Sequence, residues 1–204
     1  MPDTQMPVIL LGGASGSGKS YLAGSHGRPH VELDNFYREI HEDTSSTPLP
    51  RTQYAEIDWD HPGTWNCAAA VDALMELLQE GTTQVPNYSI TTSSYDGFSR
   101  VDLDGGPVIA EGIFAELTLA PLRVHGVEVR ALYIDVSPVA TALRRFVRDV
   151  RERRKPIGFL IKRGISLFHA EKSLRERYLA AGFEPMPKRR IREYLESMAA
   201  AAGR

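Results

Sequence analysis

The chain has 204 residues and a net charge of −2 at pH 7, from 24 Lys and Arg against 26 Asp and Glu. That length suits one sizeable α/β domain and is short for two, so residues 1–204 are expected to fold as a single domain. The near-neutral balance gives no global pull toward nucleic acid, and no run approaches the 18 apolar residues of a membrane span. The start, MPDTQMP, lacks a basic and then apolar leader pattern, and a single Cys67 excludes an internal disulfide, so the expected compartment is a reducing cytoplasm.

In chain order, the first expected strand is the apolar run Val8 to Leu11. Directly behind it stands GASGSGKS, from Gly13 through Ala14, Ser15, Gly16, Ser17, Gly18 and Lys19 to Ser20. This G-x-x-x-x-G-K-S pattern reads as a phosphate-binding loop. Its glycines let successive backbone N–H groups turn inward on a phosphate, Lys19 is placed to reach the β and γ oxygens, and the Ser20 hydroxyl is placed to ligate Mg²⁺. A helix-compatible KSYLAG follows, then a second strand, His30 to Leu33, ending at Asp34. The stretch Asp43 to Asp60 reads as irregular and too long for a simple connection.

Helical spacing of Trp65, Ala68, Val71, Leu74 and Leu78 predicts a helix over Thr64 to Gln79, stopped by Gly81. Further strands are expected at Gln84 to Pro86, Pro107 to Ala110 and Val129 to Val136, with Tyr88 to Gly106 read as irregular. Ser137 and Pro138 suit the N-cap and first position of an Arg-rich helix running to Arg153. The tail, Ile157 to Ala200, reads as two or three helices broken at Gly182, Pro185 and Pro187. Roughly two-thirds of all Lys and Arg fall between Arg144 and Arg192.

Strands alternating with helices favour an α/β fold in which an open parallel sheet is flanked by helices, as in P-loop nucleotide-binding proteins, here with an Arg-rich lid and a helical C-terminal tail. In such sheets ligands bind beyond the carboxyl ends of the strands, so the phosphate loop, Asp34 and Glu111 are expected on one rim. At that rim Asp34 can accept a proton from an attacking hydroxyl, and Glu111 can hold Mg²⁺ with Ser20. Asp135, behind Leu132-Tyr133-Ile134, is a rival metal-site carboxylate and is read as structural. No Asn-Lys pair occurs, which argues against a guanine-reading GTPase.

Read in order, further stretches resemble the uridine kinase family and the wider phosphoribulokinase and pantothenate kinase group. Leu33-Asp34-Asn35-Phe36-Tyr37-Arg38 is similar to its D-S-F-Y segment, Trp59-Asp60-His61-Pro62 to F-D-H-P, Val85-Pro86-Asn87-Tyr88 to I-P-x-Y, and Ala110-Glu111-Gly112-Ile113 to E-G-I. Leu143 to Val150 with Glu152-Arg153 matches R-R-x-x-R-D-x-x-E-R. With the phosphate loop, the resemblance covers residues 8 to about 155.

The resemblance implies an ATP- and Mg²⁺-dependent kinase that phosphorylates the 5′-hydroxyl of uridine or cytidine. Asp34 would be the base. Lys19 and Arg148 would stabilise the transferred charge, Arg148 and Arg153 would join the loop in binding ATP, and Tyr37, Asp60, Tyr88 and Arg145 would hold the acceptor. The lid would span about residues 144–165, with Lys155 as a further cation. Between Tyr88 and Arg100 the chain departs from the family, with a longer stretch and no histidine. Two alternatives therefore stay open: the same chemistry on a sugar-like or pantothenate-like alcohol, or a non-catalytic ATP-binding regulatory protein. The expected partner is a small nucleoside-like acceptor, without nucleic acid or membrane, and a homo-oligomer is compatible with this reading.

Overall fold

In the first strand Val8 and Leu10 face one apolar cluster while Ile9 and Leu11 face another, and all four are fully buried. Such a strand needs an apolar layer on each side. The computed structural model, which describes residues 7–136 and 172–202, supplies both layers.

The central sheet joins β1 (Val8–Gly12), β2 (His30–Glu32), β5 (Ile109–Glu111), β6 (Val129–Ile134) and β7 (Glu184–Met186) in the order β2-β5-β1-β6-β7, all parallel. On one face Leu22 and Ala23 of α1 (Lys19–His26) and Ile191 and Leu195 of the C-terminal helix (Lys188–Ala202) cluster with Ile9, Leu11, Ile109, Leu132 and Ile134. On the other lie α2 (Cys67–Glu80), α3 (Glu116–Val124) and the helical residues 172–180, here α4, which makes the C-terminal helix α5. Leu74, Leu77, Leu119, Leu122 and Tyr178 fill that layer with Leu10 and Ala110. The expected open parallel sheet between helices is the observed architecture.

Three departures have physical causes. Gln84 to Pro86 belongs to no parallel strand; it lies in β3 (Thr82–Ser89), which pairs antiparallel with β4 (Ser94–Asp102) as a separate ribbon. Residues 88 to 106 are thus largely a hairpin rather than irregular. Most β4 side chains are exposed, so the strand carries no clear apolar alternation. Within the expected helical tail, Glu184–Met186 adds a parallel edge strand beside β6. An edge tolerates Pro185, which has no N–H to donate.

Helix α2 starts later than its apolar spacing suggests, because Asn66 caps it by accepting the Ala69 N–H at 3.1 Å while Pro62–Thr64 form a separate 3₁₀ turn. Helix α3 has no counterpart in the sequence reading. It contains Pro121, which has no N–H for the Leu117 carbonyl, and that oxygen lies 3.5 Å from the Cys67 thiol. Cys67 is therefore packed between helices, and burial, then Glu116, pushes its thiol up from the ordinary range. Among the described residues no helix is long and apolar enough to cross a membrane. The Pro138–Arg153 helix and the 144–165 lid lie outside the described residues.

Candidate active site

Three adjacent strands, β2, β5 and β1, end together and deliver Asp34, Glu111 and the phosphate loop to one rim. The loop leaves Gly12 and returns as α1 at Lys19. Gly13, Gly16 and Gly18 have φ of 152°, 79° and 96°, and the left-handed values at Gly16 and Gly18 explain why side chains are excluded there. Ala14 accepts the Ser17 N–H at 3.0 Å, closing the turn, while Ser15 and Gly16 are exposed at its outer side. Lys19 is buried, and its Nζ donates to the Gly13 carbonyl at 3.0 Å, tying the two ends of the loop together. Ser20, on the first turn of α1, is exposed.

Glu111 ends β5 and is buried. Its Oε1 lies 3.5 Å from Nε2 of His30, and its Oε2 is buried without a hydrogen-bond partner. Burial works to raise its pKa, but hydrogen bonding from His30, the Lys19 charge and the Ser20 hydroxyl outweigh it and hold the carboxyl below the ordinary glutamate range. Among the described residues no group of three or more His, Cys, Asp and Glu side chains gathers as a metal cluster. An ion here would rest on Ser20, Glu111 and oxygens brought by a ligand, the pattern typical of Mg²⁺.

Asp34 sits in the 3₁₀ turn Leu33–Phe36 that follows β2, crowded by protein yet open at its surface. Its Oδ1 accepts the Ile113 N–H at 2.8 Å. Desolvation by the surrounding protein pushes its carboxyl above the ordinary aspartate range; the Ile113 N–H and Lys19 pull it down without cancelling that push, and Glu111 and Glu32 add to it.

The rest of the D-N-F-Y-R segment builds a second wall. Arg38 and Asn66 donate backbone N–H groups to Thr64 and Phe36 at 2.8 and 2.9 Å, and Arg38 Nη1 donates to the Gly63 carbonyl at 3.1 Å. These bonds bring the Trp59–Pro62 motif against Tyr37, whose ring centre lies 6.0 Å from Trp59 and 5.4 Å from Tyr88. The hairpin is fastened there too. Asn35 accepts the Tyr88 N–H at 3.3 Å, and the Tyr95 hydroxyl donates to the Tyr37 carbonyl at 2.9 Å. Burial, then the charges of Asp34 and Asp60, raises the Tyr37 phenol. Burial, then Glu42 and Glu39, leaves Tyr95 pushed up to about 12.

The phosphate loop, Asp34 and Glu111 therefore stand on one rim, and the Tyr37, Trp59 and Tyr88 rings cluster on the segment that continues from Asp34. Arg145, Arg148 and Arg153 lie outside the described residues. Asp135, directly after β6, is held by Arg175, whose Nε and Nη2 donate at 3.2 and 3.1 Å. Sequence reasoning missed His30, Trp59 as a ring in the wall, Tyr95 and Tyr178. A histidine on a strand that ends at Asp34 was a usable signal, whereas nothing local marked Tyr178, which arrives from a helix far along the chain.

Tyr178 is fully buried, and a Cβ at Gly12 would run into its Cε1, Cδ1 and Cζ atoms. Gly12→Ala is thus expected to cost about 1–3 kcal/mol, because neither the ring nor the strand can give way. The shift of the urea midpoint measures it; an unchanged midpoint would show that the packing is loose.

No protein-family model matches the chain. A uridine kinase of Aeromonas hydrophila is 27% identical over 175 residues, covering 79% of this chain and 78% of its own. A uridine kinase of Geobacillus kaustophilus is 26% identical over 171 residues, covering 79% and 76%. A solved structure from Silicibacter sp. TM1040, of a candidate fructose transport system kinase, superposes with a TM-score of 0.60 at 16% identity over 91% of this chain and 92% of that one. The chain is thus similar in sequence to uridine kinases over about four-fifths of its length, and it shares its fold with the Silicibacter kinase structure.

Proposed function

We propose that the chain is an ATP- and Mg²⁺-dependent kinase that transfers a γ-phosphoryl group to the hydroxyl of a nucleoside, the 5′-hydroxyl of uridine or cytidine first among acceptors. The observation that carries this reading is Asp34, held by the Ile113 N–H beside Lys19 and Glu111 at the ends of three adjacent strands. A protein that only bound ATP would need the loop but not a carboxylate fixed in front of it.

In this reading Asp34 accepts the proton of the attacking hydroxyl as the new O–P bond forms. Lys19 neutralises charge on the phosphoryl oxygens, and the N–H groups from Gly13 to Ser20 bind the phosphates. The buried, unpartnered Glu111 Oε2 and the nearby Ser20 hydroxyl form a hard oxygen donor set that fits Mg²⁺. That ion would offset negative charge on the phosphates. Asp60 suits vicinal sugar hydroxyls as acceptor of their protons, and Tyr37 and Tyr88 offer ring faces to a base. Arg145, Arg148 and Arg153 are assigned to charge stabilisation and shielding on the strength of their motif alone, and the cytoplasm is the assigned compartment.

A second acceptor class has one observation in its favour: the stretch from Tyr88 to Arg100 has no histidine, unlike the resembled family, and its β4 residue Tyr95 is bound to the Tyr37 carbonyl. That difference would change the base reader while leaving the transfer chemistry intact. ADP release from Mg-ATP across nucleosides, pantothenate and sugar alcohols, with Lys19→Ala as blank, tests both. Release with uridine or cytidine is the expected result. Release with another alcohol replaces the acceptor, and tight ATP binding without any acceptor-dependent release overturns the kinase reading.

A further inference from the structure

The carbonyls of Gly112 and Ile113, in the loop that carries the N–H bound to Asp34, are met by two consecutive side chains of α4. The Tyr178 hydroxyl donates to the Gly112 carbonyl at 2.7 Å, and Arg177 Nη2 stands 3.5 Å from the Ile113 carbonyl, the outer limit of a hydrogen bond. Arg177 is itself fixed. Its Nη2 lies 2.8 Å from Glu116 Oε1, and its guanidinium carbon lies 5.4 Å from the centre of the Phe114 ring. Tyr178 is fixed by its ring contacts with Tyr133 and Phe183, at 5.2 and 4.8 Å between centres, and by Gly12 beneath it.

We infer that Tyr178, seconded by Arg177, is a positioning residue for the phosphoryl-transfer site: it clamps the Gly112–Ile113 peptide so that the Ile113 N–H stays aimed at Asp34. This rests on the kinase reading for its consequence in catalysis, though not for the clamp itself. The chain of contacts is continuous. The phenol holds the Gly112 oxygen, that peptide leads into the Ile113 nitrogen, and the Ile113 N–H holds Asp34 Oδ1 at 2.8 Å. The same ring lies over Gly12, the last residue before the phosphate loop, so one side chain from α4 sets the spacing between the loop and Asp34. Burial keeps the phenol protonated, with Glu116 and Asp34 acting in the same direction, so it remains a donor.

Tyr178→Phe keeps the ring against Gly12 and removes only the donor. Amide hydrogen exchange of the full chain, followed by NMR, reads the clamp directly. In Tyr178→Phe the Ile113 amide is expected to exchange about tenfold faster or more while the β5 amides of Ile109 and Ala110 are unchanged. With the acceptor identified by the panel above, kcat is expected to fall about tenfold with the ATP dissociation constant unchanged. Asp34→Asn supplies the reference for an Ile113 amide facing a neutral partner. Unchanged Ile113 exchange in folded Tyr178→Phe overturns the inference. So does faster exchange spread equally over β5, which marks a general loss of stability.

Should Tyr178→Phe not fold, Arg177→Met combined with Glu116→Gln removes the half-buried guanidinium and the buried carboxylate together and avoids leaving either charge alone. Selective loss of Ile113 protection in that protein supports the clamp, and its absence overturns the share given to Arg177. Exchange reads the clamp whether or not Asp34 is the base, so failure of the kinase reading would show separately, as normal turnover in Asp34→Asn.

Discussion

Asp34→Asn is expected to lower turnover by about 10² to 10⁴-fold while leaving the affinity for ATP intact, the span typical of losing a positioned general base. The amide is nearly isosteric and its oxygen can still accept the Ile113 N–H, so what disappears is the capacity to take a proton. ATP contacts the loop from Gly13 to Ser20 in the proposed reading, and the substitution leaves every loop residue in place. Single-turnover rates with Mg-ATP and the identified acceptor, set beside ATP titrations, separate the two quantities. Normal turnover would remove Asp34 from the mechanism.

The same residue fixes the direction of two pH effects. A base works when deprotonated, and Asp34 is held above the ordinary aspartate range, chiefly by desolvation. The acid limb of kcat/KM is therefore expected above the titration of an unperturbed aspartate, and absent in Asp34→Asn. For stability, a raised pKa means that the folded state holds this proton more tightly than the unfolded chain does. The ionised carboxylate thus costs stability once the pH passes its folded pKa, and Asp34→Asn should be at least as stable as the parent at neutral pH. Urea unfolding at pH 7 checks the sign.

Gly112→Ala is the second large effect, an expected loss of about 10²-fold in kcat with ATP binding preserved. A Cβ at Gly112 would lie 2.7 Å from Asp34 Oδ1, 2.9 Å from Leu33 Cβ and 3.2 Å from the Asp34 nitrogen. None of these is the free end of a flexible chain. Oδ1 is bound to the Ile113 N–H, and Leu33 is fully buried. The carboxylate must therefore move, and a displacement of about 1 Å in a reacting group is enough for such a loss. Parental kcat in a folded Gly112→Ala protein would show that Asp34 has room to shift without consequence, against the proposed role. The glycine of the E-G-I stretch is thus explained by close approach rather than by backbone conformation.

Much of this site was legible because its chemistry is local in sequence. The phosphate loop is eight consecutive residues, and its glycines and lysine follow from the turn that a phosphate requires. Asp34 and Glu111 each stand directly after a short strand-like run, so placing those runs as parallel strands was enough to put both on one rim. The central strand Val8 to Leu11 declared its burial on both faces by having no polar position at all. The hairpin was not legible, since β4 is exposed along most of its length and its pairing with β3 replaces the periodicity that a half-buried strand would show. The edge strand Glu184–Met186 was hidden by its prolines, which read as helix breaks and are equally at home on a sheet edge.

The sequence by itself thus carried the proposed class of chemistry, through a loop whose backbone needs are written in its glycines and through carboxylates at strand ends. Only the tertiary structure decided how the Asp34 carboxylate is aimed and how far it is desolvated. Aim depends on Ile113, Gly112, Tyr178 and Arg177, which lie 78 to 144 positions away along the chain. Desolvation depends on the whole shell packed around Asp34. Neither leaves a local pattern, because hydrogen bonding and burial at one carboxylate are summed over every element that reaches it.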